Sequence, residues 1–384
     1  MTEWSTPERT ALKESATRFA EREIVPYLAD WEDAGEVPRE LHKRAADAGL
    51  LGVGFPEAVG GQGGTVVDTA IVTEAIIEAG GSSGLVAALF THGIALPHIV
   101  ASGDTSLIDH YVRPTLAGEL IGSLAVTEPG GGSDVANLTT RAVRDGDAYE
   151  VSGAKTFITS GVRADFVTTA VRTGGEGFGG ISLLVIDKHT RGFAVGRPLN
   201  KMGWLCSDTA ELAFDGARVP VANLVGDEDA GFVAIMRQFV PERLSLAVQA
   251  YATAQRCLDL AVEYARKRET FGRPLISRQI IRHKLVEMHR ATTTARTYTQ
   301  DVVKRAAAGA DDEQRIALDA SIAKNDAVAA CDYVVNEAVQ IFGGAGYLRE
   351  SEVERHYRDA RILGIGGGTN EVLTDLAAKL LGYT

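Results

Sequence analysis

The sequence predicts an α+β chain in which helices come first, a compact all-β region follows, and helices return to the end. Three observations predict this. Apolar residues recur on a helical spacing up to about residue 120. From there to about 228 glycine becomes frequent and the apolar runs become short and strand-like. From about 229 onward the helical period resumes over long stretches with few breakers. At 384 residues the chain is large for one core, so three domains are expected, 1–120, 121–228 and 229–384.

The elements follow in order. Ser5 or Thr6 can cap a first helix, Pro7 suits its first turn, and Leu12, Phe19 and Ile24 share a helical spacing. Gly49 and the run Gly60-Gly61-Gln62-Gly63-Gly64 punctuate the pattern, with helices expected over about 65–80, 84–102 and 104–117. In the middle region Ile181–Ile186 reads as a buried strand and Thr209–Phe214 as a half-exposed one. Turns are expected at Asp145-Gly146-Asp147, Ser152-Gly153 and Asp215-Gly216. In the last region Gly272 with Pro274, then Gly309, then Gly343–Gly346 divide the helices.

Composition narrows the function classes. Lys and Arg total 39 and Asp and Glu 51, a net charge of 39 − 51 = −12, which disfavours nucleic acid and anionic membrane as general partners. The three cysteines, Cys206, Cys257 and Cys331, are widely spaced, so neither a disulfide framework nor structural zinc is expected and a reducing cytoplasm fits. No apolar run reaches membrane-spanning length, and the charged N-terminus lacks the apolar core of a secretory signal.

Two generic motifs fail on context. Gly175–Gly180 fits GxGxxG, but a dinucleotide fingerprint needs a strand before it and a helix after it, and here a strand follows; a hairpin tip is expected. Gly80–Gly84 fits GxSxG but lies between two helical patterns, so it reads as a helix–helix turn rather than a nucleophile elbow. The eight histidines show no metal-ligand spacing, and no metal is expected.

Four segments carry more information. The first, Ala125–Asp134, is a Gly-rich turn with small hydroxyl residues, whose backbone N–H groups can approach a flat or anionic ligand. The second, Lys155–Gly161, places an aromatic residue and a hydroxyl beside a turn. The third is Arg268-Glu269-Thr270-Phe271-Gly272, with Gln279 following. The fourth runs from Gln340–Tyr347 through Arg358-Asp359-Ala360-Arg361 to Gly366–Glu371. Taken singly, the first also reads as a loop entering the β region and the second as a plain strand end.

Together and in this order, with Lys201-Met202-Gly203-Trp204 between them, the segments resemble the acyl-CoA dehydrogenase family over essentially the whole chain. The resemblance implies an N-terminal helical domain, a central β-barrel-like domain and a C-terminal four-helix-bundle domain. It implies an FAD enzyme that converts an acyl-CoA to the trans-2-enoyl-CoA. A carboxylate takes the α-proton, the flavin takes the β-hydrogen as hydride, and an electron-transfer flavoprotein receives the electrons. It also assigns residues. Leu124, Ala125, Val126, Thr127, Gly132 and Ser133 match the stretch along the flavin, with Thr127 bonding the ring and Ser133 the flavin phosphate or the CoA. Phe157, Ile158 and Thr159 match the stretch flanking the ring; many members have Trp where Phe157 stands. Arg268, Thr270, Phe271 and Gln279, then Gln340, Ile341, Phe342, Gly343 and Gly344, then Thr369 and Glu371, match contacts to the ADP half of FAD, largely across a subunit interface. A homotetramer, a dimer of dimers, is therefore implied.

One departure bears on the mechanism. In the commoner branch a Glu immediately precedes the Gly-Thr pair and acts as base; here that position is Gly367, before Gly368-Thr369. The long-chain and isovaleryl branch carries its base on an earlier helix in a Glu-Arg pair, and Pro241-Glu242-Arg243-Leu244 stands at the matching place. The resemblance so assigns Glu242 as base, with Arg243 and Gly368 on the substrate side. Gly367 keeps an N–H that can polarise the thioester oxygen, and it leaves room for a side chain reaching in from another helix. Burial is expected to raise the pKa of Glu242 toward working pH. Alternatives are a flavin oxidase of the same fold, a non-catalytic flavoprotein scaffold motivated by Gly367, and a cofactor-free helical interaction protein.

Overall fold

The computed structural model describes residues 3–383; the outermost bounds of the expected domains, residues 1, 2 and 384, lie outside the described residues. Helix α1 (Pro7–Glu23) starts as expected, with the Thr6 side chain accepting a hydrogen bond from the Arg9 N–H at 3.3 Å. Then follow α2 (Leu28–Ala34), α3 (Glu40–Asp47) and α4 (Val66–Glu78), the last opened by a capping box between Thr65 and Asp68. The single helix expected over 84–102 is three short ones, α5 (Ser83–Leu89), α6 (His92–Ala95) and α7 (Pro97–Ser102). Pro97 explains the last break, since it suits a first turn and offers no N–H to a continuing helix. Helix α8 (Thr105–Leu107), a π-helical turn (Ile108–Val112) and α9 (Arg113–Leu116) then complete the helical first third.

The central region is one mixed sheet of β1 (Gly122–Ala125), β2 (Arg141–Asp145), β3 (Ala148–Thr159), β4 (Phe166–Arg172), β5 (Ile181–Asp187), β6 (Phe193–Pro198) and β7 (Thr209–Pro220). Strand β4 pairs antiparallel with β5 on one edge and, on the other, parallel with β1 and with the first residue of β2. The sheet continues antiparallel through β2, β3, β7 and β6. Tyr149, Val151, Val167, Val171, Leu184, Ile186, Leu212 and Phe214 from four strands share one apolar interior, so the sheet curls round its own core as a half-barrel. The Gly175–Gly180 segment is the tip between β4 and β5, tied by the Arg172 guanidinium to the Gly175 and Gly177 carbonyls. Gly80–Gly84 holds the turn between α4 and α5 and the first two residues of α5, which Ser82 caps through the Leu85 N–H.

Two expected turns are not turns. Asp145–Asp147 does join β2 to β3, but Ser152-Gly153 lies inside β3 and Asp215-Gly216 inside β7, each at an irregularity of the β3–β7 pairing. A glycine within a strand marks a bulge as readily as an end. Gly153 has φ +148°, and a Cβ there would fall 2.6–2.8 Å from Thr140 atoms.

The rest is helical. Helix α10 (Gly231–Lys267), α11 (Gln279–Ala308) and α12 (Glu313–Phe342) are long and pack on one another, with α13 (Glu352–Ala360) and α14 (Asn370–Leu380) laid against α12. A small hairpin, β8 (Glu269–Thr270) and β9 (Arg273–Pro274), separates α10 from α11. Helix α4 packs on both α10 and α11, so the first and last thirds share one helical core. A second cluster joins α7, the π-helical turn and the start of α10 to the sheet. No single helix among the described residues is long and apolar enough to cross a membrane. Cys206, Cys257 and Cys331 are buried free thiols.

Replacing Gly153 with Ala is expected to cost about 2–4 kcal/mol, from the left-handed backbone and the contact with Thr140. A thermal melt followed by near-ultraviolet dichroism checks this; an unchanged midpoint would contradict the bulge argument.

Candidate active site

A cleft of about 1800 Å³ opens where the sheet meets the helical body. One wall is the Gly-rich segment after β1. Lys155, fully buried in β3, donates to the Val126 carbonyl and to Glu128 Oε1, both at 2.9 Å. Burial alone would raise the Glu128 carboxyl, but the Lys155 charge and bonds from Thr139 and Thr140 hold it down at about 2. The ionised pair pins the base of the turn while Gly130–Asp134 stays exposed beyond it. Leu124, Val126, Thr127, Gly132 and Ser133 all border the cleft. Ala125 does not: strand alternation turns its methyl into the sheet core.

The second wall is the end of β3. The β3–β7 register slips between Lys155 and Ile158, and Phe157 sits there at φ +59° with 68 % of its surface exposed. Phe157, Ile158 and Thr159 all border the cleft, although most of the Ile158 side chain packs in the sheet interior. The third wall is the strap Lys201–Trp204. The Trp204 N–H donates to Asp359 Oδ1 at 2.5 Å and its indole N–H to Ser83 Oγ at 2.9 Å, tying the strap to α13 and α5.

Helix α10 forms the fourth wall. Pro241, within the helix, has no N–H for the Arg237 carbonyl, and Glu242 follows on the cleft side. The turn before α14 faces it. Gly367 has φ +65°; a Cβ there would lie 2.5 Å from Leu246 Cδ1 and 3.7 Å from Glu242 Oε1. The Arg243 Nε donates to the Gly367 carbonyl at 3.4 Å, and the buried Lys324 ammonium to the Gly368 carbonyl at 2.6 Å. Burial raises the Glu242 carboxyl from 4.5 to about 7, against the lowering pull of the Arg243 and Lys324 charges. Thr369 borders the cleft and caps α14 through the Val372 N–H. Glu371 is exposed outside it.

The remaining residues singled out in the sequence gather elsewhere. Arg268, Thr270 and Phe271 lie past the C-terminal end of α10, Gln279 starts α11, and Gln340–Gly344 end α12, all at one end of the antiparallel helices. At 1.5 Å per residue that end is about 39 Å along α10 from Glu242. Arg268, Gln279, Gln340, Gly343 and Gly344 are exposed there. Phe271 is 97 % exposed at φ +51°, with Arg278 over its ring. Ile341 is not available to a ligand through its side chain, because it belongs to the bundle core; Phe342 stacks on Tyr264.

Sequence reasoning missed Lys324, whose signal was a lone lysine on the apolar face of α12. It also missed the Lys155–Glu128 pair, quoted within motifs but given no role.

Three family models match the chain in order: the acyl-CoA dehydrogenase N-terminal domain over residues 6–119, the middle domain over 123–217 and the C-terminal domain over 229–382. The chain belongs to the acyl-CoA dehydrogenase family. It is a flavin-dependent oxidoreductase of that family, and its cofactor is FAD. A "probable acyl CoA dehydrogenase" from Mycobacterium abscessus is similar in structure at TM-score 0.97 and 68 % identity, over 99 % of this chain and 100 % of that one. The butyryl-CoA dehydrogenase of Megasphaera elsdenii superposes at TM-score 0.93 and 32 % identity, over 99 % of this chain and 100 % of that one. The mitochondrial long-chain specific acyl-CoA dehydrogenase of Sus scrofa is 35 % identical over 97 % of this chain and 86 % of its own. The cleft fits such a cofactor. It offers an exposed aromatic ring at Phe157, and Gly130 and Gly131 have nothing within 4 Å of where a Cβ would stand, so a ligand can approach their backbone.

A carboxyl raised in the folded state favours the fold in its protonated form. The contribution of Glu242 is therefore fully present below about 4.5 and lost as pH rises through about 7. Infrared difference titration is expected to show one carboxyl ionising near pH 7 that Glu242→Gln removes; a titration unchanged by that substitution would contradict the placement.

Proposed function

We propose that this cleft holds FAD and an acyl-CoA together and that Glu242 is the base that removes the α-proton. The observation that carries the reading is the approach of Glu242 Oε1 to Gly367, where a neighbouring-loop carboxylate would otherwise stand. A carboxyl titrating near 7 is suited to accept a proton at working pH. The Gly367 N–H is proposed to polarise the thioester oxygen, while Arg243 and Lys324 hold the carbonyls of that turn and fix its direction. Gly368 borders the acyl group. Leu124, Val126, Thr127, Gly132, Ser133, Phe157, Thr159 and Thr369 hold the cofactor from this side, with backbone contributions from Ala125 and Ile158. When bound, FAD supplies the hydride acceptor for the β-hydrogen.

The Glu-Arg pair on α10 supports placing the chain in the long-chain and isovaleryl-like branch. The set at the far end of the bundle, Arg268, Thr270, Phe271, Gln279 and Gln340–Gly344, with Ile341 contributing only through its backbone, is proposed to complete the cofactor site of a neighbouring copy, within a homotetramer. Electrons then pass to an electron-transfer flavoprotein. A chain from a structure described as the electron transferring flavoprotein of Acidaminococcus fermentans is similar to this one at TM-score 0.94 and 31 % identity.

Glu242→Gln is expected to retain FAD yet lose flavin bleaching by acyl-CoA, its rate falling roughly a hundredfold or more. Anaerobic absorbance titration measures this, and undiminished bleaching would remove Glu242 from the reaction. Phe271→Ala, which touches nothing in the cleft of its own chain, is expected to lower FAD occupancy. Flavin-to-protein absorbance with native mass spectrometry tests it; full occupancy would argue against a shared site.

A further inference from the structure

Helix α10 presents Glu242, Ser245, Leu246 and Gln249 to the cleft, the spacing of a single helix face. Upstream, Phe232, Met236 and Phe239 border the cleft where Gly130–Asp134 is exposed, so the helix runs from mouth to inner end. The inner end is mostly apolar: Val72, Val86, Val248 and Val303 line it and are 4 % exposed or less. Gln249 is the exception there. Its residue is 5 % exposed, its Nε2 makes one bond of 3.4 Å to Ser245 Oγ, and its Oε1 has no hydrogen-bond partner. A primary amide offers two donors and two lone pairs, and either orientation of this one leaves a polar atom unpaired. Thr73 of α4, 8 % exposed, borders the same cleft.

We propose that this inner end is a polar subsite built on Gln249, and that the preferred acyl groups carry a hydroxyl or carbonyl oxygen far from the thioester. The inference rests on the dehydrogenase reading of the cleft. Gln249 lies two helical turns beyond Glu242, about 10 Å along the axis, which is well past the carbons that react. A plain hydrocarbon tail reaching that depth leaves the amide desolvated and unpaired. A tail ending in an oxygen pairs it and loses nothing to the surrounding valines. Sites built to bond a substrate hydroxyl reject the analogue lacking it more strongly than apolar pockets reject a missing methylene.

The test uses the FAD-loaded enzyme with straight saturated acyl-CoAs and the ω-hydroxy counterpart of each, comparing kcat/KM within each pair. At the best chain length the hydroxylated member is expected to be favoured roughly ten- to a hundredfold. Gln249→Leu and Gln249→Met are each expected to erase that preference with FAD content intact. A wild-type enzyme that favours the saturated member at every length overturns the proposal, even if neither variant folds. So does a preference that survives both substitutions, which would leave the amide to an ordered water. Oxidation of neither member at any length overturns the dehydrogenase reading, and this inference with it.

Discussion

A carboxyl group set in the wall of a cleft and left without a salt-bridge clamp is the condition on which the rest of the site depends. Desolvation penalises the charged form of Glu242 and moves its titration to about 7. Two cations pull against that shift, yet each spends its hydrogen bond elsewhere, Arg243 on the Gly367 carbonyl and Lys324 on the Gly368 carbonyl. A direct ion pair to either would pull the carboxyl back toward the ordinary range and leave a weak base. Their long-range field lowers the proton affinity only in part. The arrangement keeps the proposed base poised near neutrality and uses the same two cations to hold the turn opposite it.

In the proposed mechanism, that turn decides which element supplies the carboxylate. Gly367 has a left-handed backbone, and the Leu246 methyl occupies the place a Cβ would take. With α10 where it is, a side chain on the turn is both strained and obstructed. The space belongs instead to the α10 face carrying Glu242 and Leu246. Two carboxylates at this spot would share one proton and titrate as a pair; a single one, donated from the helix, keeps the chemistry simple. Glycine at 367 and glutamate at 242 are therefore two parts of one solution.

Much of this was legible in the sequence and some was not, for identifiable reasons. The order helical, β, helical follows from a change of hydrophobic period, and that signal survives because each region buries its own stripe. The start of α1 at Thr6-Pro7 was readable because capping is local. The bulges at Gly153 and Gly216 were misread as turns, since a glycine signals left-handed backbone without saying whether the chain reverses. Ala125 and Ile158 sit in motifs whose neighbours face the cleft, but strand alternation sends their own side chains into the sheet core. Lys324 was invisible because its role depends on α12 meeting the Gly366–Thr369 turn, a contact that no local pattern encodes.

The division of the remaining residues follows from rigidity. The cleft walls come from three regions of the chain, and the strap through Trp204 binds them by donating its N–H to Asp359 and its indole N–H to Ser83. That junction fixes the cleft at one end of α10. The set ending in Phe271 and Gly344 is fixed at the other end, because a packed helix of 37 residues neither bends back nor shortens. An almost fully exposed aromatic ring on a left-handed residue is unfavourable for an isolated chain, since it leaves apolar surface wet and backbone strained together. Covering that ring relieves the cost, and among the described residues only the Arg278 guanidinium lies over it, leaving it almost fully exposed. If both sets serve one cofactor, they must come from different copies, and the length of α10 sets how far apart two such sites stand.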